Sequence, residues 1–114
     1  MIGIKVAPGE QASIIALQKG LKSMQELVNG YIEIIYPFDD DVCIVCNEEG
    51  KILNLPANRP LIDETGNIYD IIHGTFLVLG VTDDDFVDLT QEQAQHYVDY
   101  FNTTCSLNSA TQKG

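Results

Sequence analysis

Near the start of the chain, Ile2, Ile4 and Val6 are separated by Gly3 and Lys5. A period of two predicts a strand with one buried face, ended by Pro8 and Gly9. The period then changes. Ile14, Leu17, Leu21, Met24 and Val28 recur three and four apart, which predicts a helix over residues 10–28 with those side chains on one side. Asn29-Gly30 supplies its stop. Gly20 then falls mid-helix, where glycine costs about 1 kcal/mol relative to alanine. Residues 31–36 read as a strand ending at Pro37, Asp39-Asp40-Asp41 as a turn, and residues 42–46 as a strand. Asn47-Glu48-Glu49-Gly50 predicts a hairpin turn into a further strand over residues 51–55. Two prolines make residues 56–60 a predicted loop, and Glu64-Thr65-Gly66-Asn67 a turn. Residues 75–79 predict a central strand buried on both faces, with Gly74 marking a bulge or a close backbone approach. Thr90 and Gln93 form a capping-box pattern that opens a second helix over residues 91–102. Its apolar face is Ala94, Tyr97, Val98 and Phe101.

The predicted order is β-α-β-β-β-β-α. Consecutive hairpins predict an α+β fold with a mainly antiparallel sheet of four to five strands and two packed helices. The expected core includes Leu17, Leu21, Met24, Val45, Phe76, Val78, Val98 and Phe101. Residues 1–102 form one expected domain and residues 103–114 a frayed polar tail.

Charge narrows the function. Seventeen acidic residues face six Lys or Arg, for a net charge of -11. From Pro60 onward there are nine acids and one base, Lys113. Phosphate binding relies on Lys and Arg displacing counterions, so direct nucleic-acid binding is not expected. A basic protein surface is the partner such a charge favours. No apolar run is long enough to span a bilayer, and no secretory signal is seen. With three cysteines, Cys43, Cys46 and Cys105, the expected setting is cytoplasmic, with free thiols.

Candidate chemistry is sparse. Cys43 and Cys46 have redox or zinc spacing, but residues three apart in a strand point to opposite faces, so no metal is expected there. Neither Asp39-Asp40-Asp41 nor Asp83-Asp84-Asp85 continues into a calcium loop. His73 and His96 lack a nucleophile pattern beside them. The glycines match no phosphate or dinucleotide fingerprint, so no cofactor is expected. A polar cluster is expected around the central hairpin: Asn47, Glu48, Glu49, Gly50 and Lys51 on one turn, Asn58 and Arg59 on the next. Arg59, the only arginine, offers a planar fork of donors for an anion, or else clamps Glu48, Glu49 or a backbone carbonyl.

Several segments carry a resemblance: Leu17-Gln18-Lys19-Gly20-Leu21, residues 24–33, Val45-Cys46-Asn47-Glu48-Glu49-Gly50-Lys51, Asn58-Arg59 and Ile71-Ile72-His73-Gly74-Thr75-Phe76. Together they resemble domain-of-unknown-function family 3846 over nearly the whole chain, from about Ile2 to Phe101. That family comprises small proteins of bacteria, phages and conjugative elements. The resemblance implies a mobile-element setting, with Asn47, Glu48, Gly50, Asn58, Arg59, Gly74, Thr75 and Phe76 as family-like positions. It implies no reaction and no catalytic residue. The expectation is a non-catalytic interaction protein whose acidic residues, Asp83, Asp84 and Asp85 among them, meet a basic host protein such as a nuclease or defence protein. The alternative is a small-ligand or nucleotide-binding module built on Asn47, Glu48, Asn58 and Arg59.

Overall fold

The first two strands pair with each other. In a computed structural model, which describes residues 1–104, Ile2–Val6 form β1 and Ser13–Ala16 form β2, antiparallel with Ile4 opposite Ile14. The predicted helix over residues 10–28 is therefore only half helix. Its first half holds Ser13, Ile14 and Ile15, and β-branched residues favour the pleated surface that β1 offers. The three-and-four spacing of Ile14 and Leu17 is coincidence. Helix α1 spans Leu21–Val28, and Gly20 is its first flanking residue, at φ 136°, rather than a mid-helix glycine. Met24 and Val28 are buried, whereas Leu21, expected in the core, is 58% exposed.

Next come β3, Ile32–Ile35, and β4, Val42–Asn47, antiparallel with Ile34 opposite Val45. The strand expected at 51–55 is instead a compact turn. The amides of Leu53 and Leu55 bond back to the carbonyls of Glu49 and Gly50, and Asn54 adopts the left-handed conformation. The loop expected at 56–60 is strand: Ala57–Ile62 form β5, paired with Ile68–His73, β6. Pro60 is tolerated because a two-stranded sheet leaves each strand one side without a ladder, where a missing N–H costs little. Asp63 makes the tight turn between them, accepting from the amides of Thr65 and Asn67 at 2.9 Å.

Phe76–Val81 form β7, Phe86–Val87 form β8, and Gln91–Thr103 form α2 behind the expected capping box of Thr90 and Gln93. The main sheet runs β2-β1-β7-β4-β3 with β8 beside β7, and β5-β6 form a second sheet. Every pairing is antiparallel. The α+β class with two helices is as read, and the additional strands come from residues 10–28, 56–60 and 68–87. Thr103 belongs to α2, and the tail from Cys105 lies outside the described residues.

Two cores flank the main sheet. On one side Ile4, Ile44, Phe76 and Val78 meet Tyr97 and Phe101 of α2 and Leu61 and Ile72 of the small sheet. On the other, Cys43, Val45, Leu77 and Leu79 meet Leu17, Met24 and Val28. Strands β4 and β7 are thus buried on both faces, as expected for residues 75–79. Val98 packs half-buried against the first core. Among the described residues, no helix is long and apolar enough to cross a membrane.

The buried thiols set a pH limit on this fold. Burial pushes Cys43 from an ordinary 9.0 up to about 12. Burial, with Glu33 and Asp70 adding to it, pushes Cys46 to about 11. The Tyr97 phenol is also raised, by burial and by its bond to Asp40. All three are acids whose folded pKa lies above the unfolded one. Their contribution is fully present below the unfolded values and is lost as pH rises through the folded ones. Urea midpoints should therefore hold to about pH 9 and fall steadily toward about pH 11, and Cys43→Ala should flatten that fall. A midpoint constant across that window would contradict the assignment.

Candidate functional site

Two buried polar side chains of β5 join distant parts of the chain. Asn58 donates from its amide to the carbonyls of Val6 and Gly74, at 2.9 and 2.8 Å. Arg59, 2% exposed, donates from Nε to Phe101 O at 3.0 Å and from Nη2 to Glu10 O at 2.7 Å. Its Nη1 donates to Asn58 Oδ1 at 2.9 Å. Of the uses expected for Arg59, the clamp on backbone carbonyls is therefore present, and the carbonyls belong to α2 and the β1–β2 loop. Asn47 lies on the other face of the main sheet. Its Nδ2 donates to Val28 O and Asn29 O at 3.1 and 3.2 Å, satisfying carbonyls at the end of α1, and its Oδ1 accepts from the amide of Glu49 at 2.7 Å. Asn47 and the Asn58–Arg59 pair thus do not converge on one exposed cluster. Glu48 and Glu49 are exposed.

Gly50 and Gly74 hold the 48–55 turn against the end of β6. A Cβ on Gly50 would lie 2.6 Å from His73 O, and one on Gly74, at φ 86°, would lie 2.8 Å from Leu55 Cδ1. Side chains larger than glycine would force the turn away, and the left-handed backbone at Gly74 adds strain for any other residue. His73 Nδ1 bonds Leu55 O at 2.9 Å. A carbonyl only accepts, so Nδ1 carries the proton. Between this turn, β3 and the small sheet lies a cavity of about 360 Å³. Glu33, Glu48 and Asp70 line it together with Lys51, His73 and Cys46. Lys51 pairs with Asp70, which holds the Asp70 carboxyl below its ordinary range. Cys43 and Cys46 sit in the two different cores, so strand geometry keeps their thiols apart.

The acidic loop forms a different kind of surface. Asp83, Asp84 and Asp85 line a hollow of about 250 Å³ together with Ile34, Tyr36, Val81, Thr82 and Phe86. Asp85 pairs with exposed Lys19 and accepts from the Phe86 amide, and these bonds hold its carboxyl below the ordinary range. Tyr36 is 66% exposed and Ile34 37%. Local pattern alone marks residues 31–36 only as a strand. The missed signal is that Ile32, Ile34, Ile35 and Tyr36 break the alternation an edge strand normally shows, leaving apolar side chains on both faces.

A family model described as Domain of unknown function (DUF3846) matches residues 1–102. The chain belongs to that family. No curated protein and no solved structure matches it. Within the DUF3846 fold of this chain, the positions that carried the resemblance are mostly architectural. Asn47 ends α1, Asn58 and Arg59 bridge carbonyls, Gly50 and Gly74 permit a close approach, and Phe76 fills the core against Phe101 with ring centroids 5.2 Å apart. Thr75 is half-buried, and Glu48 is the exposed one.

Arg59→Ala strips donors from two backbone carbonyls and leaves a void, so it should cost about 3 kcal/mol. Arg59→Lys should recover only part, because one ammonium does not reproduce the planar fork. Chemical denaturation of the three proteins checks this. A melting curve unchanged in Arg59→Ala would remove the bridge from the account of stability.

Proposed function

We propose that the chain is a non-catalytic interaction protein of mobile-element type, acting in the cytoplasm. Its acidic surface meets a basic host protein such as a nuclease or a defence protein, without binding nucleic acid directly. The observation that carries the reading is the hollow where exposed Ile34 and Tyr36 stand beside Asp83, Asp84 and Asp85. An apolar centre with a charged rim is the general anatomy of a protein interface, and rim charge selects and steers the partner. Six cationic side chains cannot neutralise seventeen carboxylates, so the field around this hollow is negative and favours a basic surface.

Replacing Asp83, Asp84 and Asp85 together by Asn should leave the fold intact, since Asp85→Asn keeps an acceptor oxygen for the Phe86 amide. Capture of basic host proteins should weaken, most at low salt, because screening acts over about 10 Å at 0.1 M. Pull-downs from host lysate at two salt concentrations, followed by mass spectrometry, test this. Unchanged capture with unchanged salt dependence would move the interaction elsewhere.

A second reading, a small-ligand module, is favoured by the cavity beside the 48–55 turn, whose 360 Å³ falls in the range of ligand sites. Three carboxylates line it, so it suits an organic cation better than a nucleotide. Under this reading argininamide raises the melting temperature and adenosine monophosphate does not. A shift with the nucleotide alone would reverse the preference.

A further inference from the structure

Among the described residues, β3 is an outer strand of the main sheet. Its pairing with β4 fixes which backbone groups face outward. The amide of Glu48 bonds Tyr31 O at 2.9 Å, and Ile32 lies opposite Asn47, Glu33 opposite Cys46 and Ile34 opposite Val45. In an antiparallel ladder hydrogen-bonded and non-bonded pairs alternate. Tyr31, Glu33 and Ile35 therefore spend their backbone groups on β4, while Ile32 and Ile34 present N–H and C=O to the open side. These groups lie beside the hollow of Ile34, Tyr36 and Asp83 to Asp85. The other outer strand, β2, lies against α2.

We propose that β3 is a docking strand. An extended basic segment of a partner protein pairs along it, bonding the outward groups of Ile32 and Ile34. Apolar side chains of that segment pack on Ile34 and Tyr36, and alternate Lys or Arg side chains reach Asp83 and Asp84. Backbone bonding supplies affinity in such strand addition, and alternate side chains supply selectivity. The basic character of the occupant rests on the interaction reading above, and the pairing rests on the ladder alone. A second copy of this chain is a poor occupant, because each carries a charge of -11 and like charges repel on approach.

Ile34→Pro isolates the pairing. Its N–H faces outward, so proline removes the docking donor without taking a bond from the β4 ladder. Ile34→Lys keeps the backbone and adds the charge that natural edges use against pairing, which covers the case in which the proline variant folds poorly. The probe is a peptide of alternating lysine and valine, with a control of the same composition in block order. The alternating peptide should bind and slow hydrogen exchange at the Ile32 and Ile34 amides, and both variants should bind it at least about tenfold more weakly. No binding, binding without protection at those amides, or equal binding by both folded variants overturns the proposal. So does a dimer in sedimentation that protects the same amides without peptide. The Asp83, Asp84 and Asp85 to Asn variant separates the two readings. Loss of binding there with retention in Ile34→Pro overturns edge pairing and leaves the acidic interaction standing. The reverse pattern keeps the docking strand and overturns the basic partner.

Discussion

The buried bridge made by Asn58 and Arg59 is the constraint on which the rest of the molecule depends. The main sheet with α1 is one body, and β5-β6 is a second sheet with no ladder to it. What joins them in polar terms is a side-chain network: Asn58 to β1 and to the β6–β7 junction, Arg59 to the β1–β2 loop and to α2. A guanidinium out of water is tolerated only when its donors are satisfied, because an isolated buried charge costs far more than one hydrogen bond returns. Directing those donors at carbonyls of separate elements fixes where the small sheet and α2 sit. The aromatic contacts of Phe101 with Phe76 and Phe38 then close the core around a frame already oriented.

This explains why the recognisable residues of the chain yield so little chemistry. Asn47, Gly50, Asn58, Arg59 and Gly74 lie in segments that hold two layers together, and each spends its special property on contacts inside the fold. Asn47 spends its amide nitrogen on the α1 terminus and its amide oxygen on the Glu49 N–H of the turn after β4. Gly50 gives up its side chain so that the turn can touch His73. Side chains so engaged are poor candidates for contacting a ligand, which is why the proposed function rests on the exposed carboxylates and the outer strand instead.

How much of this was legible follows from what kind of force sets each element. Strands β1, β3, β4 and β7 and helix α2 announce themselves by local pattern and by the Thr90–Gln93 cap, because their buried faces and termini are written in neighbouring residues. The split of residues 10–28 was not legible, because Ser13 to Ala16 becomes strand only by pairing with β1. Strand β5 was hidden by Pro60, whose usual meaning changes in a sheet of two strands. Of the candidate site, the acidic loop was visible as charge. Its apolar companions were not, since the outer position of β3 is a property of the sheet order and not of residues 31–36.

Charge and edge belong together in this molecule. An outer strand with outward Ile32 and Ile34 groups and apolar neighbours is an aggregation hazard, and proteins usually blunt such edges with inward charges, bulges or a covering element. Here β3 has no further strand beside it among the described residues, and its local protection is limited to Glu33 and the short span before Pro37. A net charge of -11 supplies the missing protection over a longer range, because two copies approaching edge to edge bring their carboxylates together before any backbone bond forms. The same field attracts a strand of opposite charge. Under the proposed reading, a single property thus discourages self-pairing and admits a basic partner, which ties the acidity of this chain to the proposed docking at β3.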